Sequence, residues 1–202
     1  MREYGFCLRA ICLLTGYLLG GVLTAEAVAR SLTGQSARAL GTGNPGMANI
    51  MAQLGKPAGF AVLAGDVTKT VLAVWFCVRY AAPELGRTAV LYAGLGAILG
   101  HNWSVWHGFY GGKGVAVTCT WLILYLPVTG LLCCLAGGAA VLLWGYLPVG
   151  AVLIPLLAVP LAAMQYGTEA GVGTALAAAV MLSRHAKGLW GVWQGTEPRF
   201  FQ

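Results

Sequence analysis

Two glycine-rich segments carry polar residues whose types and spacing suit phosphate binding. The first reads Gly41-Thr42-Gly43-Asn44-Pro45-Gly46 and is followed closely by Asn49. Closely spaced glycines let the backbone turn tightly and aim its N–H groups at an anion, while the asparagines add side-chain donors. The glycine spacing is similar to a dinucleotide fingerprint, but no β-strand or βαβ unit is indicated around it. The segment therefore indicates either a phosphate-binding loop or a plain connection between helices.

The second segment runs from His101-Asn102-Trp103 to Gly111-Gly112-Lys113-Gly114. A Gly-Gly-Lys-Gly turn combines backbone donors with one mobile ammonium group, which suits a phosphoryl group. It is not a Walker A loop, because His107 and Gly114 occupy positions that require Gly and Ser or Thr. Lys113 could instead reach the lipid headgroups as an interfacial anchor, and a capping role is an equal alternative for His101.

A third polar group follows the last apolar stretch, at Arg184-His185 and Gly195-Thr196-Glu197. Arg184 could bind a phosphate through two parallel hydrogen bonds, although a charge that simply ends a membrane span is the simpler interpretation. His185 could move a proton. Asp66 and Lys69 form an i, i+3 pair within an apolar segment, and a buried pair that orients a nearby loop is the favoured interpretation.

The surrounding composition is that of a membrane protein. Of the 202 residues, 58% are hydrophobic and only 9% are charged, whereas soluble domains carry about 25% charged residues. The stretch 114–183 contains a single charged residue, Glu169, and such a stretch can face lipid but cannot cover a soluble surface. The net charge of +6 comes from singly spaced Lys and Arg, which favours cytoplasmic loop charges over nucleic-acid binding.

Turn residues divide the chain into predicted membrane spans. Apolar segments cover about 5–29, 58–78 and 88–100, and a polar tail begins at Arg184. The predicted loops between them are 30–57, 79–87 with Arg79, Pro83, Glu84 and Arg87, and 101–114. The stretch 114–183 is long enough for four spans of ordinary length, with breaks expected near 127–130, 145–148 and 167–169. We expect an all-α integral membrane protein, a single domain over 1–202, with about seven transmembrane helices and its polar loops on the cytoplasmic face. The first span is expected to be retained rather than cleaved as a signal peptide.

The six cysteines lie in apolar stretches and show no metal-ligand spacing. Small buried side chains are the expected explanation for them. We therefore predict neither disulfides nor a metal or other cofactor.

The motifs, in their order along the chain, resemble the acyl-phosphate-dependent glycerol-3-phosphate acyltransferases of bacteria, the PlsY family. The resemblance covers most of the chain and includes Tyr17-Leu18-Leu19-Gly20, Gly65-Asp66 with Lys69, Gly100-His101, and the three polar groups described above. It implies a seven-span enzyme of the bacterial cytoplasmic (inner) membrane. Such an enzyme transfers an acyl group from acyl phosphate to the 1-hydroxyl of glycerol 3-phosphate, giving lysophosphatidic acid and phosphate for phospholipid synthesis. The partners implied are these two substrates and membrane lipid, and no nucleic acid.

The resemblance also implies roles for particular residues. Lys113, Arg184 and His185 are expected to be catalytic. Phosphate or substrate binding is expected from the glycine segments and their polar neighbours, namely Arg38, Gly41, Thr42, Gly43, Asn44, Gly46, Asn49, His101, Gly111, Gly112, Gly114, Gly195 and Glu197.

Departures from the family pattern leave alternatives open. Ala48 and Ala52 stand where Thr and Arg are usual, and Gly188 and Gly191 stand where Asn and Arg are usual. Each lost Arg should remove a charge-assisted bond worth about 1.5–3 kcal/mol, although Lys187 or Arg38 could compensate. The alternatives are a divergent member that acts as a binding or regulatory membrane protein and, less favoured, a transporter of a phosphorylated solute.

Overall fold

The computed structural model describes residues 2–200, with side chains from Tyr4 onward, and its regular structure is helical. No strand occurs in that range beyond one antiparallel bridge between Ser104 and Tyr110, which confirms the predicted all-α class. The helices are α1 (Arg2–Gly20), α2 (Thr24–Thr33), α3 (Met47–Leu54), α4 (Lys56–Leu85), α5 (Thr88–Asn102), α6 (Val115–Tyr125), α7 (Pro127–Trp144), α8 (Leu147–Tyr166) and α9 (Thr168–Gln194). Short 3₁₀ turns lie at Ala37–Ala39 and Val105–His107.

Proline and glycine set the three helix breaks that were predicted in the long apolar stretch. Pro127 begins α7 directly after α6, where its missing N–H is not needed. Gly145 and Gly167 end α7 and α8 with φ values of 82° and 83°, a region that glycine enters without steric cost. All three predicted breaks are therefore confirmed.

The predicted loop over 30–57 is wrong in part, because it contains two helical segments. α2 continues to Thr33, and α3 occupies Met47–Leu54. α3 buries Asn49 and Ile50, and Ile50 packs in a small apolar cluster with residues of α2 and α4. The helix therefore forms because one face is covered, although the surrounding sequence is rich in turn residues.

Two other segments predicted as non-helical are also helical. α4 continues through Arg79, Pro83 and Glu84 to Leu85, so the loop predicted there shrinks to the turn at Gly86. α9 continues through Arg184 to Gln194, so the predicted polar tail is largely helix. In both cases the charged residues mark where a helix becomes more polar, and they do not mark its end.

Four helical stretches in the described range are long and apolar enough to cross a membrane: Tyr4–Thr33, Lys56–Leu85, Pro127–Trp144 and Leu147–Tyr166. Their mean hydropathy lies between 1.6 and 2.2. Val115–Tyr125 is a shorter apolar helix. These stretches fit a multi-pass membrane protein, and the count of seven spans remains a prediction. The predicted single domain, 1–202, includes residues 1, 201 and 202, which lie outside the described residues, and also remains a prediction.

The chain divides into two compact units, with the boundary in the sequence between Trp121 and Leu122. In the first unit, glycines allow α1 and α5 to approach closely. Gly16 and Gly20 lie one turn apart on α1, and Gly96 and Gly100 do so on α5; a Cβ at any of the four would overlap the opposing backbone. Small residues at this spacing let transmembrane helices pack backbone to backbone. The contact fixes α5, from whose end the second glycine segment departs.

The break between α1 and α2 is held by side chains from other elements. Ser104 Oγ donates to the carbonyl oxygen of Gly21 at 2.6 Å, and Lys69 Nζ donates to that of Val22 at 2.8 Å. Trp106 Nε1 donates to the Leu18 carbonyl oxygen at 2.9 Å. Carbonyl groups at a helix end need such partners, so the break is a specific joint.

The second unit is built from α7, α8 and α9, again with glycine at close contacts. Gly137 on α7 faces Gly150 on α8, and a Cβ on Gly150 would overlap the Gly137 carbonyl oxygen. Gly171 on α9 lies against Ala163 of α8. This packing sets the course of α9, which carries the third polar group.

Candidate active site

The first glycine segment, residues 41–46, forms a tight loop that Asn49 closes. Gly41 and Gly43 adopt positive φ values of 50° and 72°. The buried Asn49 side chain accepts from the Thr42 N–H at 2.9 Å and donates to the carbonyl oxygens of Leu40 and Asn44, each at 3.0 Å. One side chain thus clamps the loop at three points, so Asn49 shapes the loop from beneath.

Most N–H groups of this first loop are already used within it, contrary to the predicted backbone cradle. Gly43 N–H donates to the Leu40 carbonyl oxygen at 2.8 Å, and Gly46 N–H donates to that of Asn44 at 2.9 Å. Asn44 N–H approaches Thr42 Oγ1 at 3.4 Å. What the loop offers a ligand is therefore its side chains, together with the first-turn N–H groups of α3 that follow it.

A buried carboxylate anchors the chain that enters the first loop. Glu26 on α2 accepts from the Ala37 N–H at 2.9 Å, from Ser36 Oγ at 3.0 Å and from Arg30 Nε at 2.7 Å. The Glu26 residue is 6% exposed. With these three partners, Glu26 holds the start of the loop against α2.

The second loop, residues 103–114, returns tightly against the end of α5. Gly112 N–H donates to the His101 carbonyl oxygen at 3.0 Å. A Cβ on Gly111 would overlap the backbone of His101 and Asn102, and a Cβ on Gly112 would overlap the His101 ring. Both positions therefore require glycine because there is no space for a side chain.

Lys113 projects from this constrained backbone without a protein partner. It is half-buried and makes no hydrogen bond or ion pair with any other described residue. Gly114 follows with a φ of 76° and leads directly into α6. A fixed backbone with an uncommitted ammonium group suits the binding of an anion.

Contacts of Tyr110 and Arg38 join the two loops. Tyr110 donates its hydroxyl hydrogen to the Gly43 carbonyl oxygen. Arg38, which precedes the first loop, places its guanidinium 3.7 Å from the centre of the Tyr110 ring and donates to the His107 carbonyl oxygen at 3.2 Å. Pro45 lies near the same junction, because a Cβ on Gly112 would come within 3.1 Å of its carbonyl oxygen. An open cleft between the loops is lined by Arg38, Thr42, Gly43, Gly108, Phe109 and Tyr110.

Below the second loop lies a buried cluster of charged and polar groups. Lys69 and Asp66 form an ion pair at 2.8 Å on α4, and Lys69 Nζ also contacts His101 Nδ1 at 2.9 Å. The three residues are between 3% and 6% exposed. His101, predicted as a substrate ligand, therefore lies beneath the loop, and its ring contacts Gly112.

The third polar group lies in the second unit. Arg184 is half-buried on α9, and the buried His185 donates from Nδ1 to the Met181 carbonyl oxygen at 2.9 Å. Gly195 ends α9 with a φ of 71°. The chain then folds back, so that the Glu197 N–H donates to the Gly191 carbonyl oxygen at 3.1 Å.

This turn of the chain also places the Glu197 side chain against α9. Its carboxylate oxygens lie close to Gly188 and Gly191, at 3.2 and 2.9 Å from where a Cβ would stand. These are the two positions at which the family pattern usually has Asn and Arg. Glycine at both leaves the carboxylate directly against the helix backbone.

The structure thus brings together the predicted residues of the first unit and adds others. Arg38, Thr42 and Gly43 line one cleft, and Gly111, Gly112 and Lys113 are held against the end of α5. Sequence reasoning did not identify Tyr110 or Glu26 as part of the site. Tyr110 lies two residues before Gly112, within the second glycine segment. Its place in that segment was therefore the one feature of the sequence that could have indicated a role at the site.

The sequence matches the family model described as glycerol-3-phosphate acyltransferase over residues 10–195. It is 31% identical to glycerol-3-phosphate acyltransferase 1 of Lactobacillus johnsonii, covering 94% of this chain and 91% of the relative. It is 33% identical to the glycerol-3-phosphate acyltransferase of Clostridioides difficile, covering 95% of each chain. The relative from Nitrosospira multiformis is 35% identical, with 93% of this chain and 94% of that relative covered.

The fold is also similar to that of a solved structure. The crystal structure of PlsY (YgiH), an integral membrane glycerol 3-phosphate acyltransferase, in its glycerol 3-phosphate form superposes with a TM-score of 0.84. The match has 26% sequence identity and covers 96% of this chain and 99% of that one. With its helical fold and its paired glycine loops, this chain belongs to the glycerol-3-phosphate acyltransferase family.

Proposed function

We propose that this protein transfers the acyl group of an acyl phosphate to the 1-hydroxyl of glycerol 3-phosphate, giving lysophosphatidic acid and inorganic phosphate. The observation that carries the proposal is the joined pair of glycine loops with two cations, Arg38 and Lys113. Neither cation has a carboxylate partner among the described residues. Both substrates are phosphates, so a site that holds uncommitted positive charge between fixed loops suits them.

The reaction places modest demands on the protein. The hydroxyl oxygen of glycerol 3-phosphate attacks the acyl carbon, an ester C–O bond forms, and the bond from that carbon to the phosphate oxygen breaks. The hydroxyl proton passes to a substrate phosphate oxygen, so no protein base is required. Because an acyl phosphate is already activated, orientation and charge stabilisation supply most of the acceleration.

Lys113 is the residue to which we assign charge neutralisation on the transferring phosphate. Its backbone is fixed by Gly111 and Gly112, so the ammonium reaches from a rigid base. Arg38 is held by the Tyr110 ring and the His107 carbonyl oxygen, and its remaining donors are available to a second phosphate. Thr42 and Asn44 add neutral donors from the first loop.

The third polar group is proposed to bind phosphate within the second unit. Arg184 would neutralise phosphate charge, while His185, Gly195 and Glu197 would contribute to the same recognition. His185 is buried and donates from Nδ1 to the Met181 carbonyl oxygen, which orients its ring.

We further propose that the acyl chain lies among the membrane helices and that the protein resides in the bacterial inner membrane. The four long apolar helical stretches support a lipid environment. Acyl phosphate and membrane lipid are then the partners besides glycerol 3-phosphate.

A second candidate is a family member without ordinary activity that binds the substrates or regulates another protein. Gly188 and Gly191 favour it, because Glu197 lies against them where polar side chains are expected. Ala52, where Arg is usual, favours it as well.

The deciding experiment supplies acyl phosphate and glycerol 3-phosphate to the protein purified in mild detergent. Phosphate release and lysophosphatidic acid are measured for the wild type, for Lys113→Ala and for Lys56→Ala, an exposed lysine at the start of α4 that serves as the matched control. We expect product from the wild type and from Lys56→Ala, and at least a hundredfold less from Lys113→Ala. No product from folded wild type, beside an active control enzyme, would favour the binding or transport alternatives.

A further inference from the structure

The buried ion pair on α4 is not among the proposed substrate ligands, yet its contacts lead to the second loop. The Lys69 ammonium lies 2.8 Å from Asp66 Oδ1, 2.8 Å from the Val22 carbonyl oxygen and 2.9 Å from His101 Nδ1. The ammonium thus makes two hydrogen bonds, to Val22 and His101, and an ion pair with Asp66. All three of these contacts lie within the protein, so Lys69 is held by protein groups.

The contact with Lys69 also fixes the tautomer of His101. Lys69 can only donate, so Nδ1 must accept and the ring proton lies on Nε2. Nε2 faces Gly112, where an added Cβ would overlap it. The His101 carbonyl oxygen meanwhile accepts from the Gly112 N–H at 3.0 Å. His101 thus contacts Gly112 through both its ring and its backbone, one residue before Lys113.

The same position connects to the first loop. A Cβ on Gly112 would also come within 3.1 Å of the Pro45 carbonyl oxygen. The ring of His101 therefore lies where the two loops meet. At its other end, the network reaches Val22 in the break between α1 and α2, so it connects that break, α4, α5 and the second loop.

We propose that Asp66, Lys69 and His101 form a positioning chain that sets the second loop, and with it Lys113, for phosphate binding. Asp66 holds the ammonium, the ammonium orients the imidazole, and the imidazole fixes Gly112. Two charges buried in a membrane segment are costly, and a geometric role at the loop accounts for keeping them. The inference rests on the proposed function, because it takes the ligand of Lys113 to be a phosphate substrate.

The test uses the double variant Asp66→Asn/Lys69→Met, which removes both charges together and leaves no unpaired charge buried. We expect it to fold, because the pair is replaced by a neutral one of similar size. The KM for at least one of the two phosphate substrates should rise tenfold or more, while kcat at saturation changes less than threefold. A purely structural role would instead reduce the active fraction, which lowers kcat and leaves both KM values unchanged.

Thr70→Val is the matched control on the same helix. Thr70 is fully buried and its hydroxyl donates to the Asp66 carbonyl oxygen at 2.7 Å, a bond that stays within α4. Its loss should leave both KM values within twofold of the wild type. Rescue is tested at His101, where Gln has a side chain long enough to reach Gly112 and Asn does not. His101→Gln should therefore retain at least tenfold more kcat/KM than His101→Asn.

The proposal is overturned if the double variant keeps both KM values within twofold, or if it fails to fold while Thr70→Val folds. If the wild type makes no lysophosphatidic acid, the proposed function fails. Limited digestion with trypsin then tests the positioning chain without a measurement of activity. Cleavage after Lys113, identified by the mass of the fragments, should be at least tenfold faster in the double variant than in the wild type. An unchanged rate would rule out the positioning role.

Discussion

The hydroxyl of Tyr110 donates a hydrogen bond to the carbonyl oxygen of Gly43 and so ties the second glycine loop to the first. The two residues lie 67 positions apart in the chain. The ring of the same tyrosine lies beneath the Arg38 guanidinium. One aromatic side chain therefore sets both the spacing of the loops and the direction of a cation in the cleft.

Tyr110→Phe separates these two roles, because it removes the hydroxyl and keeps the ring. We expect a loss of about 0.5–1.5 kcal/mol in stability, the usual value of one hydrogen bond. The KM for glycerol 3-phosphate should rise several-fold, since the loops are no longer tied. Thermal unfolding in detergent and steady-state kinetics measure the two effects.

Tyr4→Phe is the matched control for this prediction. Tyr4 is 59% exposed on α1, so removal of its hydroxyl should change neither the melting temperature nor the KM. If Tyr110→Phe behaves like Tyr4→Phe, the bond to Gly43 does not hold the loops together.

Arg38→Lys tests whether the planar guanidinium is needed rather than its charge alone. A guanidinium stacks on an aromatic ring and donates to a carbonyl group at the same time, and an ammonium on a flexible stem does this poorly. The cation–π contact at an exposed site contributes roughly 0.5–1 kcal/mol. We expect a higher KM for the phosphate substrates in Arg38→Lys and a larger rise in Arg38→Ala.

The salt dependence of the reaction gives a second measurement on Arg38. Loss of one cation from the cleft should weaken the dependence of KM on ionic strength, because fewer charges are screened. Equal salt dependence in the wild type and Arg38→Ala would show that Arg38 does not meet the substrate charge.

The helix pattern was predictable where proline and glycine interrupt apolar residues. Pro127, Gly145 and Gly167 marked three breaks correctly, because their backbone preferences act locally. α3 was missed because an eight-residue helix depends on burying Ile50, which is a tertiary effect. The length of α9 was missed because Arg184 was taken as the end of a span, although a helix can continue beyond the membrane.

The chemistry of the loops was predictable in type but not in detail. Glycine spacing and Lys113 indicated phosphate binding without any structure. The internal use of the Gly43 and Gly46 N–H groups depends on the folded path of the loop, which no spacing rule contains. The link from Lys69 to His101 joins residues 32 positions apart, so only the packing of α4 against α5 reveals it.

Asn49→Asp tests whether this side chain shapes the first loop. The carboxylate keeps the acceptor for the Thr42 N–H but loses both donors, and it faces the carbonyl oxygens of Leu40 and Asn44. Both carbonyl oxygens keep a backbone donor, from the N–H groups of Gly43 and Gly46. The cost is therefore the loss of two hydrogen bonds, each worth about 0.5–1.5 kcal/mol, together with the repulsion between a buried carboxylate and two carbonyl oxygens. We expect a large loss of stability, measured as a lower melting temperature in detergent.

Asn44→Asp, on the half-buried residue of the same loop, is the comparison. Its side chain does not clamp the loop, so the protein should keep its melting temperature while the added negative charge weakens phosphate binding. A similar melting temperature for both variants would mean that Asn49 does not organise the loop.

Gly96→Leu tests whether the close contact of α1 and α5 supports the site. Gly96 faces the backbone of α1 near Leu13, and even one Cβ there would overlap a carbonyl oxygen. The helices would have to separate, which would shift the end of α5 and the second loop that leaves it. We expect poor recovery of folded protein, or activity at least a hundredfold lower in what remains folded.

Gly138→Ala is the matched control, because its Cβ meets nothing within 4 Å on α7. That variant should be as stable as the wild type or about 0.5–1 kcal/mol more stable, since alanine favours a helix more than glycine does. Normal folding and activity in Gly96→Leu would contradict the close approach of α1 and α5.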